Sequence, residues 1–205
     1  MTARHGIVHS ERSPAASRVE RPAFDGMQTW LALPDGSGEI DLAFEHVNAG
    51  MLPLVQTPGV TARTLMGNLW GTTASTTCHE PTIYANIVLD AGRSVPIDAE
   101  VDERAVLVTE GVASLDGMPL DAFTPYIIGP SHAATLRALA PSRAIFLSRG
   151  TFRTPRHVFW NFVSSSRDRI NQAKQDWKAG HFPVVPGDET DYTSAPQAPL
   201  TVSYP

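Results

Sequence analysis

Two residues near the start of the chain have the types and spacing for metal chemistry. They are His9 and Glu11, in the stretch GIVHSER at residues 6–12. Residues two apart on an extended strand point to one side. An imidazole beside a carboxylate offers two donors that suit a transition metal. Two donors rarely hold such a metal, so the others must come from elsewhere. Cys78 is the single cysteine of the chain, which excludes an internal disulfide and a two-cysteine metal site. It stands in TTCHEP with no base placed beside it, so a catalytic thiol is not expected. No Gly-x-Ser-x-Gly elbow and no phosphate-cradling glycine loop occurs.

The elements that must position such residues are short. The runs at 81–92, 104–111, 112–120, 124–130, 134–139 and 143–150 are rich in Val, Ile, Leu, Phe and Tyr and end in Gly, Pro or Asp. Each reads as a strand. Asp116-Gly117 is a hairpin signal, because both turn positions favour a positive φ. Six close-spaced strands predict an antiparallel barrel or double-sheet jelly roll, and so an all-β fold. One helix is expected at 166–179. Serines 164–166 can cap it, Ser165 and Asp168 have capping-box-like spacing, and Ile170, Ala173 and Trp177 share a face. Lys178 lies in its last turn and Gly180 stops it. It is expected to clasp the barrel. Met27–Leu33 reads as a further strand without partners enough for a core. Residues 188–205, polar with three prolines, read as a loose tail.

Of the 205 residues, 42% are hydrophobic and the net charge is −5 without a block of like charges. That fits a folded protein and disfavours direct nucleic-acid or anionic-membrane binding. No apolar run reaches the roughly 20 residues of a membrane helix, and no signal-peptide core is present. With one cysteine, a cytoplasmic location is expected.

Cupin barrels hold a metal in the mouth with the pattern Gly, five residues, His-x-His, three or four residues, Glu, six residues, Gly. From Gly92 the same spacing meets Asp98, Glu100, Arg104 and Gly111. The frame fits and the ligands do not. A second cupin pattern is met in part by Gly129-Pro130-Ser131-His132, with His132 expected as a turn residue. A cupin without its metal site is therefore expected at 50–187. At the N-terminus, Gly6-Ile7-Val8-His9 meets Gly-x-x-His and Glu11 follows.

Three stretches carry a resemblance. MTARHGIVHSER, GMQTWLALP and PRHVFWNFVSSSRDRINQAKQDWKAGHFPVVPGDE (155–189) are similar to the pirin family of two-cupin proteins. The resemblance implies a cupin with a C-terminal helix, preceded in residues 1–45 by the remnant of a second, metal-type cupin. It implies one iron, bound by three histidines and a glutamate in the N-terminal cupin, with His9 and Glu11 matching the third histidine and the glutamate. The family's His-Pro-His-Arg-Gly-Phe-Glu segment has no counterpart, and Arg4 and His5 depart from the usual small residues. A chain lacking the front of its first cupin is the expectation. The activity implied is that of a quercetin 2,3-dioxygenase, with Fe(II) as cofactor, a flavonol as substrate and Glu11 as general base. The alternative is a non-catalytic partner of a transcription factor or metabolic enzyme. Residues 1–45 are expected to be partly disordered or to self-associate through exposed strands.

Overall fold

A computed structural model describes the chain except residues 5, 21–22, 24–25, 37–39, 98–100, 198–200 and 205. His5, Asp98 and Glu100 thus lie outside the described residues. The chain forms two compact units, one of residues 45–151 and one made by both ends, 1–44 and 152–205.

The elements in chain order are α1 (Ala15–Glu20), β1 (Leu54–Thr57), β2 (Val60–Met66), β3 (Asn68–Leu69), β4 (Thr72–Thr73), β5 (Thr82–Leu89), β6 (Ser94–Pro96) and β7 (Glu103–Glu110). There follow β8 (Ala113–Leu115), β9 (Met118–Pro119), β10 (Pro125–Ile128), β11 (Thr135–Ala138), β12 (Ser142–Arg149), β13 (Arg156–Phe159), β14 (Phe162–Ser164), α2 (Arg167–Ala179) and β15 (Val202–Tyr204).

The unit 45–151 is all-β. A six-stranded sheet runs β1-β2-β5-β12-β7-β10 and a four-stranded sheet runs β6-β11-β8-β9, every pairing antiparallel. The core lies on their inward faces. Ile87, Leu89, Val106, Val108, Leu136 and Phe146 are each essentially inaccessible to solvent. Alternation builds this core, since β7 buries residues 104, 106 and 108 and exposes more of those between. All six expected strand regions are strands. The run at 112–120 is the hairpin β8–β9, turned by Asp116 (φ 50°) and Gly117 (φ 86°).

The pair β1–β2 was not expected from the sequence. Its inward residues are Ala62 and Thr64, both fully buried, and a small residue with a hydroxyl makes no apolar stripe. The available signal was Pro58-Gly59, which closes the turn between Thr57 and Val60.

In the other unit, β14-β13-β15 form a small sheet, and α2 packs on β13 and β14. The Ser166 hydroxyl caps α2 by accepting from the Arg169 amide at 3.4 Å, so the cap is Ser166 and not Ser165. Gly180 ends the helix at φ 71°, and Ile170 is its buried residue. Met27–Leu33 does not form a strand, because no backbone ladder reaches it. Leu33 is instead held by a side chain, its carbonyl accepting from Arg156 at 2.8 Å. Residues 188–205 are tied within this unit, in part through Trp177 and β13. Tyr192 stacks on Trp177 at 5.1 Å, the Trp177 indole donates to the Thr193 carbonyl at 3.0 Å, and β15 pairs with β13.

Candidate functional site

Arg104 sits where the cupin frame would place a carboxylate ligand. β7 turns it inward, in a buried cross-strand row with Ile128, Ser148 and Ile83. Only 3% of Arg104 is exposed. Its guanidinium donates to the carbonyl oxygens of Ile97 at 2.7 Å, Gly129 at 2.7 Å and His132 at 2.6 Å. Three carbonyls converge on one fixed cation, much as oxygen ligands converge on a metal ion. The Arg104 fork thereby ties the end of β6 to the loop that carries the second cupin pattern. The His132 ring turns outward to Asp116, with 2.8 Å between Nε2 and Oδ2. The amide of Thr135 donates to the other Asp116 oxygen at 2.8 Å. The bond to His132, followed by that from Thr135, holds the Asp116 carboxyl below its ordinary value. This mouth is organised around an arginine, and His132 is turned away from it.

His9 and Glu11 stand in the other unit, both exposed, in a segment without a strand ladder. The Gln28 amide donates to both oxygens of Glu11, each at 3.0 Å. The flanking side chains go elsewhere. Arg12 grips both oxygens of Asp188 at 2.7 Å and one oxygen of Asp191 at 2.7 Å. The two carboxylates raise the Arg12 guanidinium above its ordinary value. Arg12 and then Ser10, both bonding to Asp188, hold the Asp188 carboxyl low. Just upstream, Gly6 adopts φ 129°, where a Cβ would come within 2.8 Å of the Phe182 ring.

The donor chemistry of this segment fits one edge of a metal site. It offers one imidazole and one carboxylate, and the carboxylate is held by an amide, as ligating carboxylates commonly are. It is not a whole site, since among the described residues no group of three or more His, Cys, Asp or Glu is gathered where it could hold a metal. The partners Ser10, Arg12, Gln28 and Asp188 were not singled out from the sequence. No local pattern links Arg12 to Asp188, which lies 176 positions away.

Cys78 is exposed and without a disulfide partner. Its thiol is pushed up, first by partial desolvation and further by the charge of Glu45, the opposite of what an attacking thiolate needs. Among the described residues no helix is long and apolar enough to cross a membrane.

Residues 84–183 match the family model described as the pirin C-terminal cupin domain. A pirin-like protein of Caulobacter vibrioides is 36% identical over 198 residues, which cover 96% of this chain and 68% of that protein. A Pseudomonas aeruginosa relative is 29% identical over 206 residues, 98% of this chain and 64% of that protein. The crystal structure of a quercetin 2,3-dioxygenase from Acinetobacter baumannii superposes with a TM-score of 0.73 at 25% identity, over 83% of this chain and 57% of that one. The chain thus spans about two thirds of the length of these two curated relatives, 68% and 64%, and less of the solved enzyme.

Proposed function

The chain belongs to the pirin family, and from that premise we propose that it serves Fe(II)-dependent ring opening of a flavonol by O₂, with His9 and Glu11 as two of the metal's ligands. The observation that carries this reading is the His9-x-Glu11 pair with its carboxylate already held by Gln28. Its support outside the site is the fold shared with a quercetin 2,3-dioxygenase. A complete site needs further donors, which the described residues do not gather around this pair. Iron bound there supplies a Lewis acid and a template for substrate. The chain's own residues do the rest. His9 contributes a neutral imidazole nitrogen. Glu11 accepts the proton of the flavonol 3-hydroxyl as general base, and Gln28 keeps its carboxylate oriented for that transfer. The setting is cytoplasmic.

The test is quercetin consumption and carbon monoxide release in air, with added Fe(II), for the protein and for His9→Ala and Glu11→Gln. Iron-dependent turnover abolished by either substitution supports the reading. Turnover unchanged by both overturns it.

A second reading is favoured by Arg104, which fills the mouth of the 45–151 barrel with a cation in place of ligands. That barrel then works by surface contact, as a partner of a transcription factor or a metabolic enzyme. On that barrel Phe123 and Ile127 are exposed and available for such contacts, and Trp30 and Phe44 of the other unit are exposed for self-association. Absence of any iron-dependent turnover, together with capture of a defined protein partner, would favour this reading over the first.

A further inference from the structure

The mouth row of the 45–151 barrel holds more donors than it uses. Arg104 on β7 and Ser148 on β12 are direct cross-strand partners. Both belong to the inward faces of their strands, and they are 3% and 4% exposed. Side chains paired in this way stand about 5 Å apart at Cβ. Arg104 spends Nη1 on the Ile97 carbonyl and Nη2 on those of Gly129 and His132. Its Nε is buried without a hydrogen-bond partner, and so is the Ser148 hydroxyl. A buried donor left unmatched keeps its whole desolvation penalty, and native interiors hold few of them. Two such donors on neighbouring residues of one face call for a ligand that accepts from both.

The charge calls for the same kind of ligand. A guanidinium stays positive in a protein interior, where a charge needs a partner of opposite sign. The three acceptors of Arg104 are all neutral carbonyls. The other members of its row, Ile83 and Ile128, are apolar. Glu103, its neighbour on β7, pairs with Arg149 at 3.7 Å. Asp116 holds the His132 ring at 2.8 Å. Among the described residues no carboxylate forms an ion pair with Arg104.

We propose that Arg104 Nε and the Ser148 hydroxyl bind a small monovalent anion of the halide class inside the 45–151 barrel, as the counter-charge of the guanidinium. A halide accepts from both donors and asks for none in return. Its single atom suits donors that are already closed off from bulk solvent. A water molecule would satisfy the donors and leave the charge unbalanced. The site belongs to the barrel and is independent of His9 and Glu11.

The experiment is thermal unfolding of the whole chain and of Ser148→Ala, with sodium chloride replacing sodium gluconate at constant ionic strength. General salt effects are common to both proteins and cancel in the comparison. In the parent, chloride should raise the melting temperature along a saturating curve, by about 3 °C at ten times the dissociation constant. Ser148→Ala should lose most of this rise. A crystal grown in bromide should show an anomalous peak between Arg104 Nε and Ser148 Oγ. An equal chloride response in parent and variant overturns the proposal. So does the absence of any chloride response, the result expected if water or a carboxylate of the chain itself, Asp98 and Glu100 included, takes that place. A bromide peak without a chloride effect in solution is adventitious occupancy and overturns it as well.

Discussion

Arg104 and His132 meet through the backbone. The arginine Nη2 donates to the histidine carbonyl at 2.6 Å, while the histidine ring turns away to Asp116. A residue at one ligand position of the cupin frame thus holds another such position by its main chain. Replacing Arg104 with Met would orphan the buried Ile97 carbonyl and take a charged donor from the part-buried carbonyls of Gly129 and His132. The expected cost is about 3 kcal/mol, because an orphaned acceptor keeps its desolvation penalty. Arg104→Lys, which keeps the charge without the fork, should recover only part of it. Urea unfolding of the three proteins measures this. An unchanged midpoint for the methionine variant would show that the fork is dispensable.

Gly111 closes the same frame for a steric reason. It adopts φ 79°, and a Cβ there would lie 2.0 Å from the Pro141 carbonyl oxygen. Backbone cannot yield as a flexible side chain can. Gly111→Ala should therefore destabilise by about 3 kcal/mol or more. Gly117→Ala offers a comparison, since φ is also positive there but the space is open. It should lose about 1 kcal/mol. Thermal unfolding of both variants orders them, and equal losses would contradict the clash.

Asp116 links stability to acidity. Its carboxyl is lowered first by the bond to His132 and next by the Thr135 amide. A lowered folded value means that the unfolded chain binds the proton more readily. The stabilisation is therefore complete above the ordinary value of 3.8 and is lost as pH falls through the lowered one. Asp116→Asn tolerates the positive φ of the turn and removes the titration. The melting temperature of this variant should fall less steeply as pH drops below the ordinary carboxyl value of 3.8 than that of the parent. Parallel curves would show that Asp116 contributes nothing to acid sensitivity.

Arg156 fastens the N-terminal segment. It is 5% exposed and lies 3.8 Å over the Phe152 ring. It donates to the carbonyls of Leu33 and Thr154 at 2.8 and 2.9 Å and pairs with Asp35 at 3.1 Å. Arg156→Met should release the stretch around Leu33 and Asp35, so that limited proteolysis there speeds up about tenfold while cleavage within 45–151 is unchanged. Equal cleavage rates in parent and variant would refute the fastening role.

What could be read without a structure was what short-range physics writes into a line of residues. Period-two runs ending in Gly, Pro or Asp mark β5, β7, β10, β11 and β12, and Asp116-Gly117 marks its own hairpin. Ser166 and Gly180 bound α2 through bonds made within a few residues. The cupin frame from Gly92 to Gly111 is also local, and so is the His9-x-Glu11 pair. β2 escaped because its inward face is Ala62 and Thr64, which leave no apolar trace. The tertiary structure alone decided what Arg104 grips, since its acceptors at Gly129 and His132 are 25 and 28 positions away. It alone brought Asp188 to Arg12 across 176 positions. A charged side chain at a given spacing says that a partner is needed. Which distant backbone or carboxylate answers that need is settled only when the sheets close and the chain ends come together.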